Sequence, residues 1–282
     1  MQTTTETIKK AGIPPRLAMF NSMAGFGRIS TFVALPIIST MQVQVCPVPT
    51  SVLSNHLDFP TCFREDFTPH MQSYVQAWKE LGLTFDGLYC GFFGKVEQMD
   101  IVEDFLQSFQ PDTFLLDPVM GDNGKAYSTI TPAHCERLKN LLHYADILTP
   151  NITEACLLTD TPYKDGPWTE YELDSICEKL TQLCPGRIVI TGLHNNNSFL
   201  NYIWDNGQRS TYITAKSGRS RHGTGDMFAS ILIADALHKA DFAASVKKAA
   251  DFISLCIRGS EELNVPIKEG VIFENYLSTL IR

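Results

Sequence analysis

The sequence lacks an apolar run long enough to cross a membrane, and its first residues lack the apolar core of a signal peptide. Positive charge is also scarce, because 23 Lys and Arg stand against 31 Asp and Glu, for a net charge of −8. This acidic balance argues against a general nucleic-acid or membrane-surface binder, although backbone N–H groups can still bind a phosphate locally. We therefore expect a cytoplasmic protein with no nucleic-acid or membrane partner.

Cysteine pairs of the CxxC type are absent, and the eight cysteines are scattered along the chain. That spacing suits neither a zinc site nor a small disulfide scaffold. Without a secretion signal, we expect the thiols to be reduced and mostly packed.

Two nucleotide-binding fingerprints are missing as well. The sequence has no GxxxxGK[ST], because Lys125 is followed by Ala126 where a P-loop needs a serine or threonine for Mg²⁺. It has no GxGxxG after its first apolar run either, and Gly25-Phe26-Gly27 is too short to indicate a dinucleotide site. A phosphate site, if present, must be built differently.

What the sequence does have is regular alternation. Its 282 residues, 44% of them hydrophobic, can bury a sizeable core. Short apolar runs such as RLAMF, TFLLDPV and RIVITG alternate with segments of helical spacing, which predicts an α/β fold with a mostly parallel sheet. Asp205-Asn206-Gly207 predicts a hairpin turn, and Pro36 is expected to bend or end its helix. We expect a flexible lead-in over 1–15 and a single domain over 16–282.

Polar residues follow several of the predicted strands, at the carboxyl ends where such sheets bind ligands. Asp117 and Asp122 suit a hydrated Mg²⁺, but they also suit a solvated turn. Asn151 and Glu154 are typical of a capped helix start, and they also offer an amide and an acid to the same crevice. Thr191-Gly192, taken alone, indicates a turn.

The segment HGTGDMFAS at 222–230 is more specific. If a helix begins near Thr224, the N–H groups of 223–226 point outward without partners. Gly223 and Gly225 leave room for a ligand and tolerate unusual φ, which predicts a small anion hole. Asp226 beside it is either a base or a partner of the helix dipole. A base, an anion hole and acids for Mg²⁺ are what phosphoryl transfer to an alcohol requires.

The order of these motifs resembles the ribokinase-like superfamily and, within it, the pyridoxal/pyridoxamine kinases. The resemblance is carried by FNSMAGFGRIS, PVPTSVLSNH, GFFG, LLDPVMGD, ADILTPNITE, IVITG and HGTGDMFAS. It implies a three-layer α/β/α sandwich and ATP- and Mg²⁺-dependent phosphorylation of the hydroxymethyl group of a vitamin B6 ring. It also implies a homodimer, and it leaves open whether a monovalent cation takes part.

The resemblance further implies roles for individual residues. Asp226 is the catalytic base, and Gly223, Thr224 and Gly225 form the anion hole. Asp122 and Glu154 serve the Mg²⁺ region, and Ser22 faces the ring nitrogen. The positions that contact ATP are Asp117, Tyr127, Thr149, Asn151, Thr191 and Gly192.

The substrate side departs from the pyridoxal kinase pattern. Leu57 stands where these kinases often have threonine, and Phe92 where they often have tyrosine, so two hydroxyl groups that would contact the ring are lost. Hydroxymethylpyrimidine, the substrate of a sister family in thiamin synthesis, is therefore an alternative. A non-catalytic vitamin-binding protein on the same fold is another, although the intact set Asp122, Glu154 and Asp226 favours an enzyme.

Histidines and basic residues near these motifs leave two interpretations open. His56 and His222 are as well explained by local hydrogen bonds as by chemistry. Lys216, Arg219 and Arg221 precede the anion hole, and they either contact ATP phosphates or form a solvated basic loop.

Overall fold

The computed structural model describes residues 12–195 and 197–282, so residues 1–11 of the expected lead-in lie outside the described residues. The strands are β1 (Arg16–Ala24), β2 (Gln44–Leu53), β3 (Arg64–Asp66), β4 (Gly87–Cys90), β5 (Thr113–Leu116), β6 (Gly121–Asp122), β7 (Lys125–Ala126), β8 (Ile147–Leu148), β9 (Arg187–His194), β10 (Ser198–Asp205) and β11 (Gln208–Ala215). The helices are α1 (Thr31–Thr40), α2 (Thr68–Glu80), α3 (Glu97–Phe109), α4 (Pro132–Leu142), α5 (Ile152–Leu158), α6 (Glu170–Leu183), α7 (Thr224–Leu237) and α8 (Phe242–Glu262). Two short 3₁₀ segments, Ile267–Glu269 and Glu274–Leu280, follow α8.

One nine-stranded sheet forms the centre of the fold, in the order β11-β10-β9-β8-β5-β4-β1-β2-β3. The strands from β9 to β2 in that order pair in parallel, while β10, β11 and β3 pair antiparallel at the two edges. Parallel strands are buried on both faces, which is why they appear in the sequence as continuous apolar runs.

Helices cover both faces of the sheet. Helices α1, α7 and α8 pack against one face, and α2 to α6 pack against the other, each group with its own apolar cluster. Residues 227–235 of α7 are all buried, so this mostly apolar helix is covered around its whole circumference and lies deep in the core. The three-layer α/β/α sandwich expected from the sequence is confirmed.

Local departures from the sequence predictions have simple causes. Pro36 does not end its helix, because α1 runs through it. The carbonyl group that loses its partner belongs to Phe32, which is half exposed, so water can satisfy it while the buried side of the helix stays intact. Among the described residues no helix is long and apolar enough to cross a membrane.

Two hairpin turns share the same backbone chemistry. The predicted turn between β10 and β11 is present, with positive φ at Asn206 (50°) and Gly207 (77°). A second turn, which the sequence prediction treated as a loop, joins β6 to β7 with positive φ at Asn123 (50°) and Gly124 (74°). Asparagine and glycine tolerate this conformation, which a tight two-residue hairpin requires.

Candidate active site

Four strands bring polar side chains to one edge of the sheet. Near the carboxyl ends of β1, β5, β8 and β9 lie, respectively, Asn21, Asp117, Thr149 and Thr191, and Phe92 follows β4 between them. Backbone hydrogen bonds extend the ladder past the strand ends, for example from the Asp117 N–H to the Cys90 carbonyl at 2.9 Å. The side chains of Asn21, Asp117, Thr149 and Thr191 therefore lie along the same edge of the sheet.

The N-terminus of α7 opens toward this edge without a side-chain cap. The helix begins at Thr224, as predicted, and its N-cap residue is Gly223 with φ of 87°. A Cβ at Gly223 would collide with the backbone carbonyl oxygen of Arg28, so only glycine fits. The Thr224 hydroxyl donates to the Arg221 carbonyl at 3.4 Å. The first N–H groups of the helix therefore stay available for an anion.

Gly225 differs from Gly223. Its φ lies outside the left-handed region, so of the two glycines only Gly223 uses the unusual φ that glycine tolerates. A Cβ at Gly225 would have a single neighbour within 4 Å, the Asp117 Oδ2 atom at 4.0 Å. The missing side chain leaves open space between the first turn of α7 and Asp117.

Two donors fix the carboxylate of Asp226. The Asn21 side-chain amide donates to Oδ1 at 3.1 Å, and the Ser30 backbone N–H donates to Oδ2 at 2.8 Å. Burial raises the pKa of Asp226, and the hydrogen bonds from Ser30 and Asn21 oppose that rise by stabilising the ionised form. The result is an oriented carboxylate that is more basic than an ordinary aspartate.

Asn21 is the residue that sequence reasoning missed. It is buried, and its side-chain oxygen accepts hydrogen bonds from the Ser22 N–H at 2.8 Å and the Phe92 N–H at 3.3 Å. Gly91 makes room for it, because a Cβ there would lie 2.7 Å from the Asn21 amide nitrogen. An amide directly after the apolar run RLAMF was the only signal that could have found it. Ser22, predicted to face the ring nitrogen, is buried and donates to the Ser30 hydroxyl at 2.8 Å.

Asp117 and Glu154 are two more buried carboxyl groups. Burial, and then the charge of Asp226, raises the pKa of Asp117 to about 8, although the Thr149 hydroxyl donates to it at 3.3 Å. Burial and the charge of Asp117 also raise the pKa of Glu154. Among the described residues, neither group has a salt bridge, and no cation contributes to either pKa shift. Such carboxylates favour a bound cation as their partner.

Glu154 also caps α5, as one of the two interpretations of TPNITE predicts. Its Oε2 accepts from the Asn151 N–H at 2.8 Å, and the Asn151 side-chain oxygen accepts from the Glu154 N–H at 3.0 Å. Its Oε1 accepts from the Met120 N–H at 3.0 Å, and the Asn151 amide donates to the Gly121 carbonyl at 2.8 Å. Helix α5 and the segment after β5 are thereby held together.

Asp122 lies apart from these buried acids. It is exposed on the β6–β7 hairpin, and both of its oxygens accept hydrogen bonds from Asn123, at 2.8 and 2.9 Å. The solvated-turn interpretation describes this local geometry. Tyr127 lies near both the buried acids and the exposed Asp122. Burial raises the pKa of its phenol most, and the charges of Glu154, Asp122 and Asp117 raise it further.

Thr191 and Gly192 do not form the turn that the sequence favoured, because β9 continues through them to His194. The Thr191 N–H donates to the Pro150 carbonyl at 2.9 Å. Gly192 has φ of 70° and lies against Asn151, where a Cβ would be 3.2 Å from the Asn151 Cβ atom. The pairing of β9 with β10 shifts register near this point, so an irregular strand takes the place of the turn.

The expected ring contacts come from separate segments. Leu57 lies on the loop 54–63 between β2 and β3 and is 52% exposed, whereas Phe92 is half-buried after β4. Arg64, which the sequence analysis did not single out, begins β3 and packs its guanidinium over Gly94, next to the Phe92 ring. Within the described part of the chain, the Arg64 side chain has no hydrogen bond or ion pair, so its guanidinium donors remain available.

Two of the three basic residues before the anion hole form ion pairs with Glu261. Arg219 pairs with Glu261 at 2.8 Å and Arg221 at 3.0 Å, and the Arg221 side chain is fully buried. The interpretation of a solvated basic loop is therefore wrong for Arg221. Lys216 and Arg219 line a pocket of about 870 Å³ beside this loop.

Comparisons with known proteins agree with this geometry. The family model described as phosphomethylpyrimidine kinase matches residues 78–271. A Bacteroides thetaiotaomicron protein provisionally named a phosphomethylpyrimidine kinase is 32% identical, with a TM-score of 0.92 and 96% of both chains covered. A second crystal form of that protein contains pyridoxal (TM-score 0.88, covering 95% of this chain and 96% of that one).

Sequence relatives point to two substrates. A Haemophilus influenzae hydroxymethylpyrimidine/phosphomethylpyrimidine kinase is 28% identical over 90% of this chain and 88% of its own length. An Arabidopsis thaliana pyridoxal kinase is 30% identical over 53% of this chain and 49% of its own length.

Proposed function

This chain belongs to the phosphomethylpyrimidine kinase family of the ribokinase-like superfamily, and we propose that it transfers the terminal phosphoryl group of ATP to the hydroxymethyl group of a nitrogen-containing aromatic ring. The observation that carries the proposal is the position of Asp226. Its oriented carboxylate lies in the first turn of α7, beside helix N–H groups that no side chain caps. A ligand-binding protein without catalysis has no need of a base at that point.

Asp226 acts on the substrate hydroxyl group. Asn21 and Ser30 each occupy one lone pair of a carboxylate oxygen, and each oxygen keeps a further lone pair that can accept the hydroxyl proton. Because burial raises its pKa, the carboxylate is a better proton acceptor than a solvated aspartate, provided that the pH keeps it ionised. The hydroxyl oxygen is then free to bond to phosphorus.

The N-terminus of α7 stabilises the charge that develops on the phosphoryl oxygens. The N–H groups near Gly223, Thr224 and Gly225 are fixed before the reaction, so they need no reorganisation. Open space in front of Gly225 admits the phosphate group. We propose that ATP lies along the edge formed by Asp117, Thr149, Asn151, Thr191 and Gly192, with Tyr127 beside it.

The acids of the site fit Mg²⁺. Asp117 and Glu154 are buried, have raised pKa values and have no cation partner among the described residues, which is the setting that a divalent cation stabilises. When bound, Mg²⁺ neutralises the charge of the polyphosphate. Both oxygens of Glu154 already accept backbone hydrogen bonds, so we propose that Glu154 holds the ion through its water ligands. Asp122 would approach it from the surface hairpin.

A vitamin B6 ring is our first candidate substrate. The Bacteroides relative was crystallised with pyridoxal. Arg64 beside Phe92 supports the same choice, since a guanidinium only donates hydrogen bonds and so suits the ring hydroxyl oxygen of pyridoxal better than an amino group. Ser22, Leu57 and Phe92 remain the proposed ring contacts. Hydroxymethylpyrimidine is the second candidate, supported by the family model and by the Haemophilus relative.

One substrate panel tests these proposals. The enzyme is incubated with Mg-ATP and one ring compound at a time: pyridoxal, pyridoxamine, pyridoxine or hydroxymethylpyrimidine. Mass spectrometry then identifies and quantifies the products. A phosphorylated B6 product at the highest kcat/KM supports the first candidate, and phosphorylated pyrimidine at the highest kcat/KM supports the second. If no ring is phosphorylated while ATP still stabilises the protein against heat, the non-catalytic alternative is correct. We also propose that residues 16–282 act as one kinase domain in a homodimer, which light scattering tests.

A further inference from the structure

Two histidines and an aspartate meet at a place that the proposed phosphoryl transfer does not use. His56, Asp58 and His222 each offer a ligand atom, and these atoms lie within 4.8 Å of one another. His56 and Asp58 belong to the loop 54–63, whereas His222 directly precedes the N-cap of α7. His222 Nε2 lies 2.8 Å from the Asp58 Oδ2 atom, and the two imidazole rings are 4.4 Å apart. The cluster therefore joins the loop beside the ring to the entrance of the anion hole.

The hydrogen bonds of His56 fix its tautomer. Its Nε2 atom lies 2.6 Å from the Lys268 carbonyl oxygen, which can only accept, so Nε2 carries the hydrogen. The lone pair is then on Nδ1, which accepts a long hydrogen bond of 3.3 Å from the Asp58 N–H, and a bound ion takes the place of that donor. A histidine that ligates a metal characteristically donates its other N–H to a backbone carbonyl in this way.

The ring of His56 has little freedom to turn away. It packs so closely over Gly27 that a Cβ there would collide with it, and it contacts the ring of Phe59 at 4.5 Å between centroids. Lys268 holds the same loop from the other side, since its ammonium group donates to the Asp58 carbonyl at 3.0 Å. Two of the three ligands are thus positioned before any ion arrives.

We propose that His56, Asp58 and His222 form a binding site for a transition-metal ion of the Zn²⁺ class. Two imidazole nitrogens and one carboxylate oxygen suit Zn²⁺, whereas Mg²⁺ prefers oxygen ligands. The ion replaces the proton that His222 Nε2 shares with Asp58, and a small contraction of the cluster brings the three atoms to ligand distance.

Binding of the ion has a mechanical consequence. The bound ion holds loop 54–63, which carries Leu57, against the segment that leads into Gly223. The loop then moves less, and entry of the ring substrate slows. None of the three ligands is a residue that we propose for Mg²⁺ or ATP, so the site is tested without nucleotide.

The test uses the full-length protein without nucleotide or substrate, titrated with Zn²⁺ in a calorimeter. We expect about one Zn²⁺ per chain in the wild type. His222→Asn and Asp58→Asn should each weaken Zn²⁺ binding by about 10-fold or more, because each variant lacks one ligand. Loss of even a residue that only hydrogen-bonds a ligand weakens metal binding by about that factor. His70→Asn, which changes an exposed histidine on α2, is the matched control and should bind like the wild type.

A second control removes the thiol of Cys62, the cysteine nearest in sequence to Asp58. Cys62 lies on the same loop, where its Sγ atom donates to the Asn55 carbonyl at 3.0 Å, and Cys62→Ser should leave Zn²⁺ binding unchanged. Hydrogen exchange across residues 54–63 should slow with Zn²⁺ in the wild type and stay constant in His222→Asn. The proposal is wrong if the wild type shows no saturable Zn²⁺ binding, if His222→Asn binds as tightly, or if Cys62→Ser abolishes binding. None of these results bears on phosphoryl transfer, which is measured separately with Mg-ATP.

Discussion

The two ends of the candidate site are built differently. At the phosphoryl end, Asp226 and Glu154 lie on the first turns of two helices, and each oxygen of both carboxylates accepts a hydrogen bond. At the ring end, the loop 54–63 exposes Leu57 and Phe63, which are 52% and 66% accessible to solvent. In the function that we propose, the buried sheet edge carries out the chemistry and the exposed loop 54–63 selects the substrate. That division would let pyridoxal and hydroxymethylpyrimidine kinases both resemble this chain.

The strongest test of the phosphoryl end is Asp226→Asn. The variant keeps the shape of the side chain but cannot accept the hydroxyl proton, so we expect kcat to fall about 100-fold or more. ATP binding should be nearly unchanged, and calorimetry measures it. Asp241→Asn is the control, because Asp241 also lies at a helix start and asparagine can cap α8 equally well. Near-normal turnover of Asp226→Asn would remove this residue from the role of base.

Next, the two glycines of the anion hole should separate folding from catalysis. Gly225→Val places a side chain in open space, so we expect a folded protein with little activity. Gly223→Ala forces a positive φ on alanine and a collision with Arg28, so we expect a loss of stability of roughly 1–3 kcal/mol. Thermal denaturation and turnover are measured on both variants. If Gly225→Val is folded and fully active, phosphate does not approach that turn.

The ring end should respond with smaller changes. Leu57→Thr with Phe92→Tyr restores two hydroxyl groups, and two hydrogen bonds of about 1 kcal/mol each should lower KM for pyridoxal by about 30-fold. The KM for ATP should stay constant, and kcat should change little because Asp226 is untouched. Steady-state kinetics with each substrate measure these values. Tight binding of pyridoxal by the wild type, or weaker binding by the double variant, would show that other groups hold the ring.

Arg64→Gln tests whether Arg64 also contacts the substrate at the ring end. Glutamine removes the charge but keeps a polar side chain of moderate length. If Arg64 binds the ring hydroxyl oxygen, the ratio of kcat/KM for pyridoxal over hydroxymethylpyrimidine should fall by about 10-fold or more, the value of one hydrogen bond to a charged group. An unchanged ratio places Arg64 outside the ring site.

The difference between local patterns and long-range contacts determines what could be predicted from the sequence. The parallel strands and the start of α7 were predictable, because apolar runs and the HGTGD spacing are local patterns. Asn21 was not, since its partner Asp226 lies 205 residues away and only the fold brings them together. The path of β9 through Gly192 was mispredicted for the same reason, because an irregular strand and a turn use the same residues. Long-range hydrogen bonds, rather than propensity, decided these positions.

The last effect concerns stability, namely the cost of keeping the buried Asp117 carboxylate ionised at the phosphoryl end. The pKa of Asp117 is raised to about 8 in the folded protein, above its usual value of about 3.9 when unfolded. The folded state therefore binds the proton more tightly, so this carboxyl group stabilises the fold in acid, and that stability is lost as the pH rises from about 4 to about 8. Asp117→Asn has no such loss, because its amide stays neutral.

We therefore expect Asp117→Asn to have a higher melting temperature than the wild type at pH 9, by about 2–4 °C for each kcal/mol recovered, and a smaller advantage at pH 5. The extra stability that Mg-ATP gives the wild type should shrink in the variant, because the charge that a cation stabilises is gone. Melting curves at both pH values, with and without Mg-ATP, measure the two effects. A variant that melts below the wild type at pH 9 would mean that ionised Asp117 is already satisfied by the fold, and the edge that holds Asp226 would then need no cation to stabilise it.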